Sequence, residues 1–124
     1  MYRICKRFTF EAAHKLEDLD KTDEQNKELY GKCSITHGHS YKIFVYLQSE
    51  KLTNGMIENF DKVKQIFMEN IHKKYDHSVL NDNIGLPTAE IMAITIWNSM
   101  KLDLPELYKV RVYETESCWA EYEE

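Results

Sequence analysis

The chain has 124 residues, 43% hydrophobic and 30% charged, with a formal net charge of -5. That length and balance fit one globular domain spanning 1–124 and exclude a disordered tract. No apolar run nears the roughly 20 residues that cross a bilayer, and the acidic balance argues against non-specific nucleic-acid binding, which needs a basic face.

Residues 2–13 carry Ile4, Phe8, Phe10 and Ala12 at one parity, which predicts a strand. Residues 15–32 are highly charged and patternless, and read as a long loop with a helical turn near Asn26 to Tyr30. Residues 39–49 alternate, with Tyr41, Ile43, Val45 and Leu47 on one face and Lys42, Phe44 and Tyr46 on the other. This predicts a second strand whose outer face is also partly apolar. Asn54-Gly55 is a tight-turn pair, after which a short strand is expected around Met56 to Glu58. From Phe60 the period changes: Phe60, Val63, Phe67 and Ile71 predict a helix ending near Lys74. "YDHSVLND" reads as an ordered loop. Thr88, after Pro87, is a good N-cap for a second, largely buried helix. "YKVRVYETE" and "CWAEYE" predict a closing pair of strands. The order β, β, β, α, α, β, β points to an α+β fold, an antiparallel sheet with helices on one face.

Metal chemistry is the first functional signal. His37 and His39 flank Gly38, and in extended chain residues two apart point to one side. His14 ends the first strand, so antiparallel pairing of the first two strands brings it beside them. Three neutral imidazoles suit zinc and leave a fourth position open, as catalytic sites do. The alternatives are a histidine pair satisfied by hydrogen bonds, or a closed structural site with Cys33 as fourth ligand. Cys33 lies four residues before His37 in a loop, where a nearby cation would favour its thiolate. Cys5 and Cys118 read as core or strand residues, and three cysteines at irregular spacing are no disulfide framework. Asp76 precedes His77, a pairing that can fix an imidazole tautomer, although adjacent side chains seldom bond each other. Glu114 shares the parity of Val110 and Val112 and is expected on the inward face. There it could accept paired N–H donors of a heterocycle; otherwise it is a strand-end glutamate facing solvent.

"FTFEAAH", "C…HGHSYKI", "NGMIENF", "YDHSVLN", "PTAE" and "VYETE", in this order, resemble the 6-pyruvoyl-tetrahydropterin synthase and 6-carboxytetrahydropterin synthase family over nearly the whole chain. The resemblance implies a T-fold, with a four-stranded antiparallel sheet and two helices per subunit. In that fold three sheets join into a barrel and two trimers stack as a homohexamer. It implies zinc on His14, His37 and His39, and Cys33 as catalytic base. Asp76 and His77 are implied as a relay acting across a subunit interface. Glu114 is implied as the pterin anchor, with a share in the relay, and Thr88 and Glu90 as residues near the pterin pocket. The implied substrate is 7,8-dihydroneopterin triphosphate and the implied class is a lyase. Three residues separate Cys33 from His37, as in the carboxy-forming enzymes of the queuosine pathway, which also release acetaldehyde. Asn59 and "LYKVRVYET" resemble the pyruvoyl branch, which serves tetrahydrobiopterin, and the 15–32 loop is long for the carboxy branch. The expected reaction is carboxy-forming, with the pyruvoyl synthase and a non-catalytic pterin-binding protein as alternatives. The chain starts without a signal-peptide core, so a cytoplasmic location is expected.

Overall fold

The computed structural model describes all 124 residues. The alternation at the start of the chain becomes β1 (Tyr2–His14), and the next becomes β2 (His37–Ser49). They pair antiparallel without a break from Tyr2↔Ser49 to His14↔His37. β4 (Leu107–Thr115) adds to β2, setting Val110 against Val45 and Val112 against Ile43. β5 (Cys118–Glu123) folds back on β4. A two-residue strand, β3 (Ser78–Val79), lies parallel to β1 at Ala12 and Ala13, giving the order β3-β1-β2-β4-β5. The sheet therefore has five strands, not the four expected, and β3 is too short for any sequence period to show. Around Met56 there is no strand. Asn54 and Gly55 take positive φ as the turn pair requires, but only the bridge Thr53↔Met56 forms.

Two helical runs cover one face. α2 (Phe60–Phe67) widens into a π-helical turn (Met68–His72) and ends in the short α3 (Lys73–Tyr75). Val63, Phe67 and Ile71 are buried as their spacing predicts, whereas Phe60 is exposed. α4 (Ala89–Lys101) starts at Thr88, whose hydroxyl accepts the Ile91 N–H at 3.2 Å. It buries Met92, Ala93, Ile96, Trp97 and Met100. The charged 15–32 segment holds a real helix, α1 (Asp23–Tyr30), where only a turn was expected. A reciprocal capping box between Thr22 and Gln25 satisfies its first turn.

The core sits between sheet and helices, and Tyr41, Ile43, Val45 and Leu47 are wholly inside it. The opposite sheet face is uncovered within the chain. On it Tyr46 is half-buried under cations, Lys109 Nζ lying 4.5 Å from its ring centre. Cys5 and Cys118 stand in strands but are exposed, so neither belongs to the core. Phe67 is fully buried and stacks on Phe8 at 4.0 Å between ring centres. Phe67→Ala is expected to cost about 3–5 kcal/mol of stability, read by urea unfolding. No helix is long and apolar enough to cross a membrane.

Candidate functional site

The register of β1 and β2 makes His14 and His37 direct cross-strand partners, and puts His39 one pleat further along the same strand. Their ligating atoms all lie within 4.8 Å of one another. His14, only 1% exposed, donates through Nδ1 to the Pro87 carbonyl at 2.8 Å. His37 donates through Nδ1 to the Ile35 carbonyl at 2.6 Å. A carbonyl can only accept, so both rings carry their proton on Nδ1 and present an Nε2 lone pair. These two Nε2 atoms face each other at 3.0 Å. Two acceptors at that distance repel unless a proton or a cation stands between them. Burial pushes the pKa of both His14 and His39 down, with the Glu114 carboxylate opposing it, so a proton is disfavoured on these two. His39 Nε2 is buried with no hydrogen-bond partner at all. The set could hold a cation, and its donors fit zinc, which takes imidazole nitrogens. The two carbonyls argue against a neutral His14–His37 pair joined through Nε2.

Cys33 is not a member of this cluster. It lies exposed in a 3-10 turn (Gly31–Ser34) that leads into β2. The turn is pinned on several sides. Leu16 N–H donates to the Cys33 carbonyl at 2.7 Å, Ser34 Oγ to the Gly31 carbonyl at 2.8 Å, and His37 reaches back to Ile35.

Asp76 and His77 do bond each other, at 2.7 Å between Oδ2 and Nδ1, against the expectation for neighbours. The reason is backbone: His77 has φ +58, in the left-handed region, which folds its ring back over Asp76. Glu11 holds this bend from both sides, accepting the His77 N–H at 2.6 Å and donating to Asp76 Oδ1 at 3.0 Å. These bonds, the Glu11 N–H first and then His77, hold the Asp76 carboxyl below its usual range. His77 is mostly exposed and lines a groove of about 510 Å³ with Glu11, Ala13, Gly38, His39 and Ser40. Nothing within the chain links Asp76 or His77 to Cys33.

Glu114 is half-buried at the end of β4, and its carboxylate has no hydrogen-bond partner within the chain. With Leu16, Thr88, Glu90, Cys118 and Trp119 it lines a cavity of about 280 Å³ beside the histidines. Thr88 and Glu90 are thus brought to Glu114 by the start of α4. The inward parity expected for Glu114 holds in part, since it faces a cavity and not the core.

Sequence reasoning missed several supports. Asn81 clamps the Lys15 backbone at both N–H and C=O, fixing the chain just after His14. Tyr41 Oη lies 3.2 Å from His14 Nδ1. Burial first, and Glu114 next, push the Tyr41 hydroxyl pKa up, so it stays protonated. His72 lies 3.6 Å from Asp76 Oδ2, one helical turn before it. Its spacing of four residues from Asp76 was readable once the helix was known to reach Tyr75.

Residues 3–124 match the family model described as 6-pyruvoyl tetrahydropterin synthase. The chain is 34% identical to 6-pyruvoyl tetrahydrobiopterin synthase of Homo sapiens, over 93% of this chain and 86% of that one. It is 35% identical to 6-carboxy-5,6,7,8-tetrahydropterin synthase of Synechocystis, over 98% and 93% respectively. The solved structure of Caenorhabditis elegans 6-pyruvoyl tetrahydropterin synthase superposes with a TM-score of 0.90 at 30% identity, covering 99% of this chain and 95% of that one.

Proposed function

The chain belongs to the 6-pyruvoyl tetrahydropterin synthase family, and from that premise we propose that it is a zinc-dependent pterin lyase. The substrates are 7,8-dihydroneopterin triphosphate and one water. The products are 6-carboxy-5,6,7,8-tetrahydropterin, acetaldehyde and triphosphate. The observation that carries the lyase reading is the pair of Nε2 lone pairs confronting each other at 3.0 Å beside the orphaned Nε2 of His39.

His14, His37 and His39 would hold the zinc, which when bound stabilises negative charge developing on the substrate's side-chain oxygens. Glu114 accepts the paired N–H donors of the pterin edge, its carboxylate being free of partners in the chain, and takes a share in the proton relay. Thr88 and Glu90 wall the same cavity. Cys33 as thiolate takes a proton from side-chain carbon and returns one to the ring system. His77, oriented by Asp76, carries protons on a relay completed by a neighbouring subunit. The absence of any hydrogen bond between Cys33 and Asp76 or His77 within one chain supports that reading. So do the free edges of the sheet: β3 covers only Ala12 and Ala13 of β1, and β5 has no outer neighbour. Edges of this kind pair with other chains. A barrel of three sheets, doubled to a hexamer, uses both.

Relatives named for either product are about equally similar, so the carboxy branch rests on the compact turn joining Cys33 to His37. The ordered 15–32 loop and its helix favour the pyruvoyl synthase as second reading. Product analysis decides. Zinc-loaded protein incubated with 7,8-dihydroneopterin triphosphate is expected to yield a 6-carboxypterin by mass spectrometry and acetaldehyde in equal amount. A 6-pyruvoyl product without acetaldehyde selects the second reading. Bound pterin without turnover rejects catalysis altogether.

Asp76→Asn tests the relay. The amide keeps an acceptor for the Glu11 N–H but turns a donor toward His77 Nδ1, which reverses the tautomer. Turnover is expected to fall about 10²-fold or more, with zinc content unchanged.

A further inference from the structure

Apart from His14, Asn26 is the one polar residue the fold buries, at 5% exposure. Its amide pairs with the Asp18 backbone much as a neighbouring strand would. Asp18 N–H donates to Oδ1 at 2.8 Å, and Nδ2 donates to the Asp18 carbonyl at 3.0 Å. Nδ2 also reaches the Lys21 carbonyl at 3.5 Å. One side chain thus closes the first half of the 17–32 loop onto α1. The loop's two ends are joined separately, by the bond from Leu16 N–H to the Cys33 carbonyl at 2.7 Å.

This order does not serve the hydrophobic core, since no core residue comes from positions 15–36. A solvated loop of such polarity needs no buried amide, and burying one is costly unless every donor and acceptor is met. What the order does hold is the stretch of chain between the two ends. One end is Leu16, in the wall of the Glu114 cavity. The other is Cys33, in a turn followed directly by Ile35, whose carbonyl accepts from His37.

We propose that Asn26 is a positioning residue for Cys33: by holding the 17–32 loop closed, it sets where the thiol stands relative to the histidine cluster. The catalytic meaning of that position rests on the lyase reading above; the structural claim does not.

The test uses zinc-loaded protein and limiting iodoacetamide, with alkylation of Cys5, Cys33 and Cys118 followed by peptide mass spectrometry. All three thiols are exposed, and Cys5, at the far end of β1 from the loop, serves as the internal control. In Asn26→Ala, the Cys33 rate is expected to change about fivefold or more while Cys5 stays within about twofold. Zinc content should hold, and kcat should fall at least about tenfold, since small misplacements of a reacting group are costly. Asn26→Asp is nearly isosteric, keeps the acceptor and loses both donations, and should give the same selective change. Lowered thermal stability with all three relative thiol rates and kcat unchanged would make Asn26 merely structural and overturn the proposal. If neither variant folds, Asn26 supports the whole fold and the proposal also fails. A wild type without turnover that still shows the selective thiol change leaves this inference standing and removes the lyase reading. An active wild type with an unchanged Cys33 rate in the variants does the reverse.

Discussion

Cys33→Ala is expected to bind zinc like the wild type and melt at nearly the same temperature, yet lose turnover by about 10²–10⁴-fold. The first half follows from geometry. The thiol is exposed and lies outside the histidine cluster. What pins the turn is the Cys33 carbonyl, accepting from Leu16, and alanine retains it. Exposed substitutions away from special contacts usually stay within about 0.5 kcal/mol. The second half follows from the role proposed for the thiolate, the one thiol in the 3-10 turn. Metal analysis, a thermal melt and single-turnover kinetics on one preparation check all of it. Release of zinc by this variant would restore the closed structural site with Cys33 as fourth ligand. Full turnover would move the base elsewhere, and His77 would be the next group to test.

Particular residues show what a single sequence can and cannot disclose about this site. Placing His14 with His37 needed only the alternation of two strands and their antiparallel return, and the register bears that out at His14↔His37. Thr88 was legible because N-capping is local chemistry, satisfied by one hydroxyl and one N–H. The α1 helix was underread because a charged segment has no apolar stripe. Its signature was nevertheless present in Thr22 and Gln25 at capping-box spacing. The bond between Asp76 and His77 depends on a positive φ at a non-glycine residue, enforced by Glu11 some 65 positions away. No local pattern encodes that. The same holds for Asn81 on Lys15 and for β3, since both are long-range contacts. Glu114 was readable as inward by parity, but the cavity it faces forms only when the start of α4 is laid beside the end of β4.

Removing one imidazole should have the largest effect on the metal, and His37 is the residue to remove. His14→Ala would be ambiguous, because it leaves the Pro87 carbonyl and the Tyr41 hydroxyl without their ring nitrogen in a buried place. Unsatisfied groups of that kind cost about 1–3 kcal/mol each and could unfold the strand end by themselves. His37 is half-buried and serves only the Ile35 carbonyl, which lies at an exposed turn. His37→Ala should therefore fold, and bind zinc more weakly by well over the roughly 10–100-fold that loss of an outer partner costs. Turnover should vanish with the metal. The melting temperatures give a sharper criterion. The Nε2 atoms of His14 and His37 stand 3.0 Å apart, close enough for two lone pairs to repel when no cation lies between them. Taking His37 away removes that repulsion. With chelator present, the variant is expected to melt no lower than the wild type, and with zinc present, well below it. A variant that melts lower in both conditions would mean that the two rings share a stabilising proton in the absence of metal, and the cluster would then be a buried histidine pair and not a metal centre.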